Sequence, residues 1–240
     1  MNKFVVATWS GGIDSTAVIA HLLKRSWHVR AVTLEFGPPR FMERERQARR
    51  QLLSELLYVA GRWNGIFEWD EKPAPWLWEF SDGGMEIPRR NKHIMDYLIV
   101  RECIPRGIKN LAMGEYTGAD TWVVRDHVAA NDCDHRALSA YLYLEYGLDW
   151  RLISLQDFGE SRYKANRLRL GLEVLGAEGM AKTTNCLNDV PIHCGTCYKC
   201  IERAAAFDVN GIEDHTHYDK DPRMQERWPL YMEQMKGCLA

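Results

Sequence analysis

The sequence predicts an α/β protein, an open, mostly parallel sheet flanked by helices, with a small zinc-binding segment near the carboxyl end. Three observations carry that expectation. Short β-branched runs alternate with helical patterns along most of the chain, a glycine pair separates the first strand from the first helix, and four of the seven cysteines fall within fifteen residues. With 240 residues there is chain enough for one large domain and an appendage.

The first strand is read at 4–8 (FVVAT) and the first helix follows Gly11-Gly12, with Ala17, Val18, Ala20, Leu22 and Leu23 on its apolar face. A second strand at 29–34 precedes a Gly-Pro-Pro turn and a helix over 41–61, charged early and apolar late. Further strands are expected at 64–69, 108–113 and 151–155, and further helices at 92–104, 134–146 and 162–175. The stretch 70–90 is rich in Pro and Gly and reads as irregular. The expected organisation is an α/β domain over 1–183, a four-cysteine segment over 184–207 and a docked extension over 208–240.

Composition narrows the function. Hydrophobic residues at 46% and charged residues at 27% are those of a globular chain, not of a disordered or fibrous one. Thirty-one Lys plus Arg against 33 Asp plus Glu leave a net charge of -2, so no global basic field announces nucleic acid, and a small molecule is the expected partner. No apolar run approaches the roughly 18 residues of a membrane span, and MNKFVVATWSGG lacks the pattern of a signal peptide. A cytoplasmic protein without a membrane partner is expected. No sequence feature fixes the oligomeric state, and a homodimer is admitted.

Ser10-Gly11-Gly12-Ile13-Asp14-Ser15-Thr16 lies where backbone N–H groups and the positive end of a helix converge, a place for an anion. The glycines let the backbone approach a phosphate without an intervening Cβ, and the hydroxyls add donors. No lysine follows the second glycine, so this is not the loop that holds β- and γ-phosphates for γ-phosphoryl transfer. Asp14 is the nearest carboxylate able to contact Mg²⁺, with a helix cap as its structural alternative.

Cys186, Cys194, Cys197 and Cys200 form C-x7-C-x2-C-x2-C, four thiolates able to close a tetrahedral shell around one Zn²⁺. With every position filled by sulfur, such a zinc is structural and fastens the carboxyl-terminal segment. An iron–sulfur cluster is the chief alternative, with disulfides behind it. His193 could replace a ligand, but a lone histidine there reads as a surface residue.

Ser10 to Ser15 resemble the pyrophosphate-binding loop of the N-type ATP pyrophosphatases. Pro88-Arg89-Arg90-Asn91, Asp132-Cys133, Lys164, and Cys194-Gly195-Thr196-Cys197-Tyr198-Lys199-Cys200 with Arg203 and Phe207 resemble, in the same order, motifs of the 7-cyano-7-deazaguanine synthase family. The resemblance implies a Rossmann-like fold of the adenine nucleotide alpha hydrolase type. It also implies ATP, Mg²⁺ and Zn²⁺ as cofactors, and ATP-dependent conversion of 7-carboxy-7-deazaguanine and ammonia into 7-cyano-7-deazaguanine through adenylated intermediates. Ser10, Gly11, Gly12, Asp14, Ser15, Thr16 and Leu34 would bind the nucleotide, with Asp14, Ser15, Arg90 and Lys164 at the chemistry. Arg90, Asn91 and Asp132 would hold the deazapurine, while Arg90 and Asp132 also read as a surface ion pair and a helix cap.

Where that family shows Tyr-Gly-Gln-x-His after the second strand, this chain has Glu35-Phe36-Gly37-Pro38-Pro39-Arg40. A related enzyme could adenylate the same carboxylate, use another amine and stop at the amide. A tRNA-modifying ATP pyrophosphatase would want a nucleic-acid footprint, for which the run 44–50 (RERQARR) is the candidate, although its interleaved glutamates read as a solvated helix face. A zinc-bearing binding module without enzymatic activity is a third reading, weakened by the intact phosphate loop upstream.

Overall fold

The computed structural model describes residues 3–74, 104–112, 140, 143–144, 147, 151–153, 158 and 164–239. β1 (Phe4–Thr8) is buried over its middle three residues, as a run of β-branched residues covered on both faces requires. It pairs in parallel with β2 (His28–Glu35) on one side and with β4 (Asn110–Ala112) on the other. β3 (Ile66–Pro73) lies outside β2, and β5 (Arg151–Ile153) outside β4, giving the order β3-β2-β1-β4-β5 with every pairing parallel. The open parallel sheet read from the sequence is therefore present. The chain runs from β1 through β2 to β3 at one edge and then crosses to β4 and β5 on the other side of β1, so the strand order reverses between β1 and β4, the position at which doubly wound sheets bind ligands.

The helices are α1 (Ile13–Lys24), α2 (Pro39–Arg62), α3 (Lys164–Ala181), α4 (Tyr198–Val209) and α5 (Trp228–Leu239). α1 is buried along nearly its whole length, and its Val18, Ile19, Leu22 and Leu23 join Val5, Val29, Leu52 and Leu56 in the main core. Pro at the start of α2 is tolerated because an amide there has no partner within the helix. α3 extends past the expected end at 175 by bending at Gly176, whose φ of 70° breaks the helical path without ending the segment.

Two expectations are corrected. Residues 70–73 are strand: β3 stays in register with β2 as far as Glu35↔Pro73, because its charged residues find partners on neighbouring elements, Asp70 with Arg30 of β2 at 3.2 Å and Glu71 with Arg49 of the helix over 39–62 at 2.8 Å. The basic run 44–50 is not merely a solvated face. Arg44 and Arg49 are buried, Arg49 among Glu35, Glu45 and Glu71, and Arg44 against the carbonyls of Cys186, Asn188 and Val190. Most of the helices expected at 92–104 and 134–146, most of 70–90, and Arg90, Asn91, Asp132 and Cys133 lie outside the described residues.

The stretch after 208 is docked. Trp228, Tyr231, Met232 and Met235 pack with Ile13, Leu168, Ile201 and Phe207 in a second core between α3, α4 and α5. Arg203, fully buried, is its polar counterpart. It donates to Thr216 Oγ1 at 2.8 Å and to the carbonyl and hydroxyl of Thr183 at 3.0 and 2.6 Å, pairs with Asp214 at 3.3 Å and lies over the Phe207 ring. Among the described residues no helix is long and apolar enough to cross a membrane.

Arg203→Leu strands the buried Asp214 carboxylate, and urea unfolding is expected to show a loss of about 3–5 kcal/mol. A second expectation concerns pH. His21 is buried, accepts from Arg25 Nε at 2.8 Å, and is lowered from 6.5 to about 4 by burial and by the charges of Arg25 and Lys24. Its folded form binds fewer protons than the unfolded chain between these values, so stability is lost as pH falls from 6.5 toward 4, with a slope of up to about 1.4 kcal/mol per pH unit. His21→Gln should remove that component from urea melts collected across the interval.

Candidate functional site

The turn from β1 into α1 is built from both ends of the chain. Gly11 has φ of 83°, a conformation that disfavours a side chain, and a Cβ there would press on Glu45, Ala48 and Arg49 of α2 at 3.1–3.2 Å. Its carbonyl accepts from Thr184 N at 3.0 Å, and Ile13 N donates to Asn185 Oδ1 at 3.3 Å. Ser10 and Ser15 hydroxyls stand 3.1 Å apart, Ser10 Oγ accepts from Gly12 N, and Ser15 Oγ accepts from Ser10 N. Thr16 sits behind the loop, fully buried, with its hydroxyl taking the indole N–H of Trp9 at 3.3 Å. Trp9's carbonyl in turn accepts from Thr33 Oγ1, and Leu34 is buried immediately before Glu35 at the end of β2.

The helix-cap alternative for Asp14 does not hold. Gly12 is the cap residue of α1, without a side-chain bond, and Asp14 instead faces two cations of α3: Lys164 Nζ at 3.4 Å and Arg167 at 3.2 Å. Burial raises the Asp14 pKa, but the charges of Lys164, Arg167 and Lys199 outweigh it and hold the carboxyl below its usual range. Lys164, with no exposed surface, also pairs with the buried Glu202 of α4 at 3.0 Å, and Lys199 reaches the same Glu202 oxygen at 3.4 Å. The two predicted residues Asp14 and Lys164 thus meet, and Arg167, Lys199 and Glu202 join them without any sequence pattern having marked them. Cations beside a helix N-terminus and a glycine turn suit an anionic group such as a polyphosphate.

Arg49 donates toward the Ser10 carbonyl at 3.5 Å, so α2 braces the loop from its other side. Beside it, burial raises Glu45 to about 7, against the opposing charges of Arg49 and Arg44. Spacing alone could not find Arg49, because a buried arginine and an exposed one look alike in sequence.

The four cysteine sulfurs lie within 4.8 Å of one another and are unoxidised, with Cys194 and Cys200 at 3.9 Å. A tetrahedral shell with metal–sulfur bonds of about 2.3 Å has edges of about 3.8 Å. The set therefore fits one ion. Backbone N–H groups of Thr196 and Cys197 donate to Cys194 Sγ at 3.4 and 3.3 Å, and Cys194 N to Cys186 Sγ at 3.4 Å, bonds that fix the sulfurs in place. Gly195 has φ of 72°, and a Cβ there would overlap the Lys220 carbonyl.

His193 is buried rather than on the surface. It bonds Thr184 Oγ1 at 3.0 Å, bridges to Tyr218, and is lowered to about 4 chiefly by burial. Arg44's guanidinium, bonded to three carbonyls of 186–190, ties the cysteine loop to α2.

A parallel sheet, a glycine turn with converging cations and four cysteines placed to hold one metal ion together define an α/β protein whose site suits an anionic ligand. No protein-family model matches the chain. Curated proteins named 7-cyano-7-deazaguanine synthase do match it: that of Psychromonas ingrahamii is 23% identical over 232 residues, 91% of this chain and 99% of its own. The protein of Caldicellulosiruptor bescii is 26% identical over 226 residues, 89% of this chain and 96% of its own. A shorter match, 46% identical over 61 residues, joins 23% of this chain to 26% of the Methanopyrus kandleri protein of that name. A solved structure, the U34-tRNA thiolase NcsA from Methanococcus maripaludis with its [4Fe-4S] cluster, covers 98% of this chain and 71% of its own at 13% identity. Its TM-score of 0.43 is too low to decide between reactions. Along about nine-tenths of its length the chain is similar to proteins named 7-cyano-7-deazaguanine synthase.

Gly195→Ala should lower both bound metal per chain and the thermal midpoint, because the Lys220 backbone has to move; elemental analysis and calorimetry on one preparation check both.

Proposed function

We propose that the protein is an ATP-dependent ligase that converts 7-carboxy-7-deazaguanine and ammonia into 7-cyano-7-deazaguanine. The observation that carries this reading is the convergence of Lys164 and Arg167 on Asp14 at the glycine turn, in a chain similar over nine-tenths of its length to proteins of that name.

A carboxylate is a poor electrophile. Its oxygen attacks the α-phosphorus of ATP, the bond to the β-phosphate breaks, and pyrophosphate leaves. Ammonia then adds to the acyl carbon, AMP departs and a proton is lost, leaving the amide. The amide oxygen takes a second adenylyl group with loss of a second pyrophosphate, and departure of AMP with two protons gives the nitrile. Ser10, Gly11, Gly12 and Ser15 hold the departing pyrophosphate, with Thr16 supporting the turn from behind and Leu34 beside the nucleotide. Lys164 and Arg167 balance its growing charge. Mg²⁺ supplies a further positive charge to the phosphates when bound, and Asp14 is the carboxylate placed to hold it. Arg90, Asn91 and Asp132 are assigned to the deazapurine and its carboxylate on the resemblance alone.

The metal is assigned as zinc with a structural role. A four-iron cluster spreads its thiolates over separate irons and so stands them farther apart than a single-ion shell, whereas these sulfurs stand within 4.8 Å. The segments 1–183, 184–207 and 208–240 are proposed as the nucleotide domain, the zinc segment and a docked extension, in a cytoplasmic enzyme.

One observation favours a second reading. Glu35, where the synthases show a different segment, is committed to Arg46 and Arg49 at 3.0 Å each, a segment whose family counterpart bears on the adenine contacts or the amine. An enzyme that adenylates the same carboxylate but accepts another amine, or stops at the amide, fits that change. The tRNA-modifying reading loses Arg44 and Arg49 of its basic run to buried contacts.

Pyrophosphate release is expected with 7-carboxy-7-deazaguanine and ammonia, and the mass of the product separates nitrile from amide; release that requires tRNA would overturn the proposal. Asp14→Asn should reduce turnover at least about a hundredfold with zinc content unchanged. Close to one zinc per chain is expected, lost together with folding in Cys197→Ser.

A further inference from the structure

The sequence motif leaves position 199 between two metal ligands, Cys197 and Cys200, and the fold turns that position toward the nucleotide site. Lys199 lies in the first turn of α4, so the backbone on either side of it is set by the sulfur shell. Its ammonium stands 3.4 Å from Glu202 Oε2, the same oxygen that holds Lys164 at 3.0 Å. Lys164 stands 3.4 Å from Asp14, whose other oxygen faces Arg167 at 3.2 Å. Five charged groups thus run without a gap from the cysteine cluster to the second residue of α1.

All five are largely shielded from solvent, with side-chain exposures of 0% for Lys164, 1% for Glu202, 3% for Arg167, 13% for Asp14 and 15% for Lys199. Charges in such surroundings act on one another strongly and beyond nearest neighbours. A polyphosphate with its Mg²⁺ arriving at the glycine turn must redistribute the pairs around Asp14. Lys164 is shared between Asp14 and Glu202, so that change passes to Glu202 and on to Lys199, whose position the metal site fixes.

We infer that Lys199 is a phosphate-site residue delivered by the four-cysteine segment, so that metal binding and nucleotide binding strengthen each other. The inference rests on the proposed role of the glycine turn. Coupling between two sites is reciprocal: whatever factor the metal adds to nucleotide affinity, the nucleotide adds to metal affinity.

The test uses the full-length zinc-loaded protein and α,β-methylene ATP with Mg²⁺, an analogue that the enzyme cannot split. Calorimetry gives analogue affinity, and competition with a chromogenic chelator gives zinc affinity. In the wild type, saturating analogue should raise zinc affinity by at least about fivefold. Lys199→Ala, and Lys199→Gln as a variant that retains most of the side-chain stem, should keep one zinc per chain, weaken the analogue about tenfold and abolish the zinc response. Lys199→Arg should restore both.

Zinc affinity that ignores the analogue in a wild type that binds it overturns the coupling and leaves the proposed function standing. Full coupling in Lys199→Ala overturns the assignment to Lys199. A wild type that binds no analogue overturns the inference and the reading of the glycine turn together.

Discussion

Two backbone hydrogen-bond positions on the first turn hold this molecule's function together: the carbonyl of Gly11, which accepts from Thr184, and the amide of Ile13, which donates to Asn185. They join segments more than 170 residues apart in the chain. The turn leaving β1 therefore has no finished shape until residues 184 and 185 lie against it. Because Cys186 follows at once, the conformation of the glycine turn and the start of the four-cysteine loop are set by the same few peptide units. Arg44 adds the third side of this frame by reaching from α2 into the carbonyls of 186–190. Loss of that guanidinium would leave several buried acceptors without a donor.

The same frame explains why the charge at the site is arranged as it is. A carboxylate near a polyphosphate is costly unless cations outnumber it locally or a metal bridges the two. Asp14 is kept ionised by α3, which places Lys164 and Arg167 one helical turn apart on the face turned toward α1. α3 is in turn held by the apolar contacts of Ala165 and Leu168 with Phe207 and Tyr231. The extension after 208 therefore sits at the back of the site, where it sets the position of the helix that carries the cations.

Much of this was legible in the sequence, for reasons that differ by element. β1, α1 and β2 are buried on nearly all sides, so their apolar runs stand out against the charged segments between them. The glycine turn and the cysteine spacing were legible because each has a stereochemical requirement few other residues meet. β3 was read short, since an edge strand carries polar residues whose partners lie on other elements. Arg44 and Arg49 were read only within a basic run, Lys199 only as a spacer of the cysteine motif and Arg167 not at all, because an ion pair between distant segments leaves no period and no local signature. His193 was misread for a related reason: only the return of the chain at Tyr218 buries it.

Gly195 marks the place where the strand of chain around Lys220 crosses directly over the metal loop, so closely that no side chain fits between. During synthesis the glycine turn leaves the ribosome well ahead of Asn185, 172 residues further along the chain, and of the crossing around Lys220 that packs on the cysteine loop. The growing polypeptide consequently carries an unfinished glycine turn until those segments have emerged. The turn and the cysteine loop reach their final shapes only when chain distant in sequence has been made.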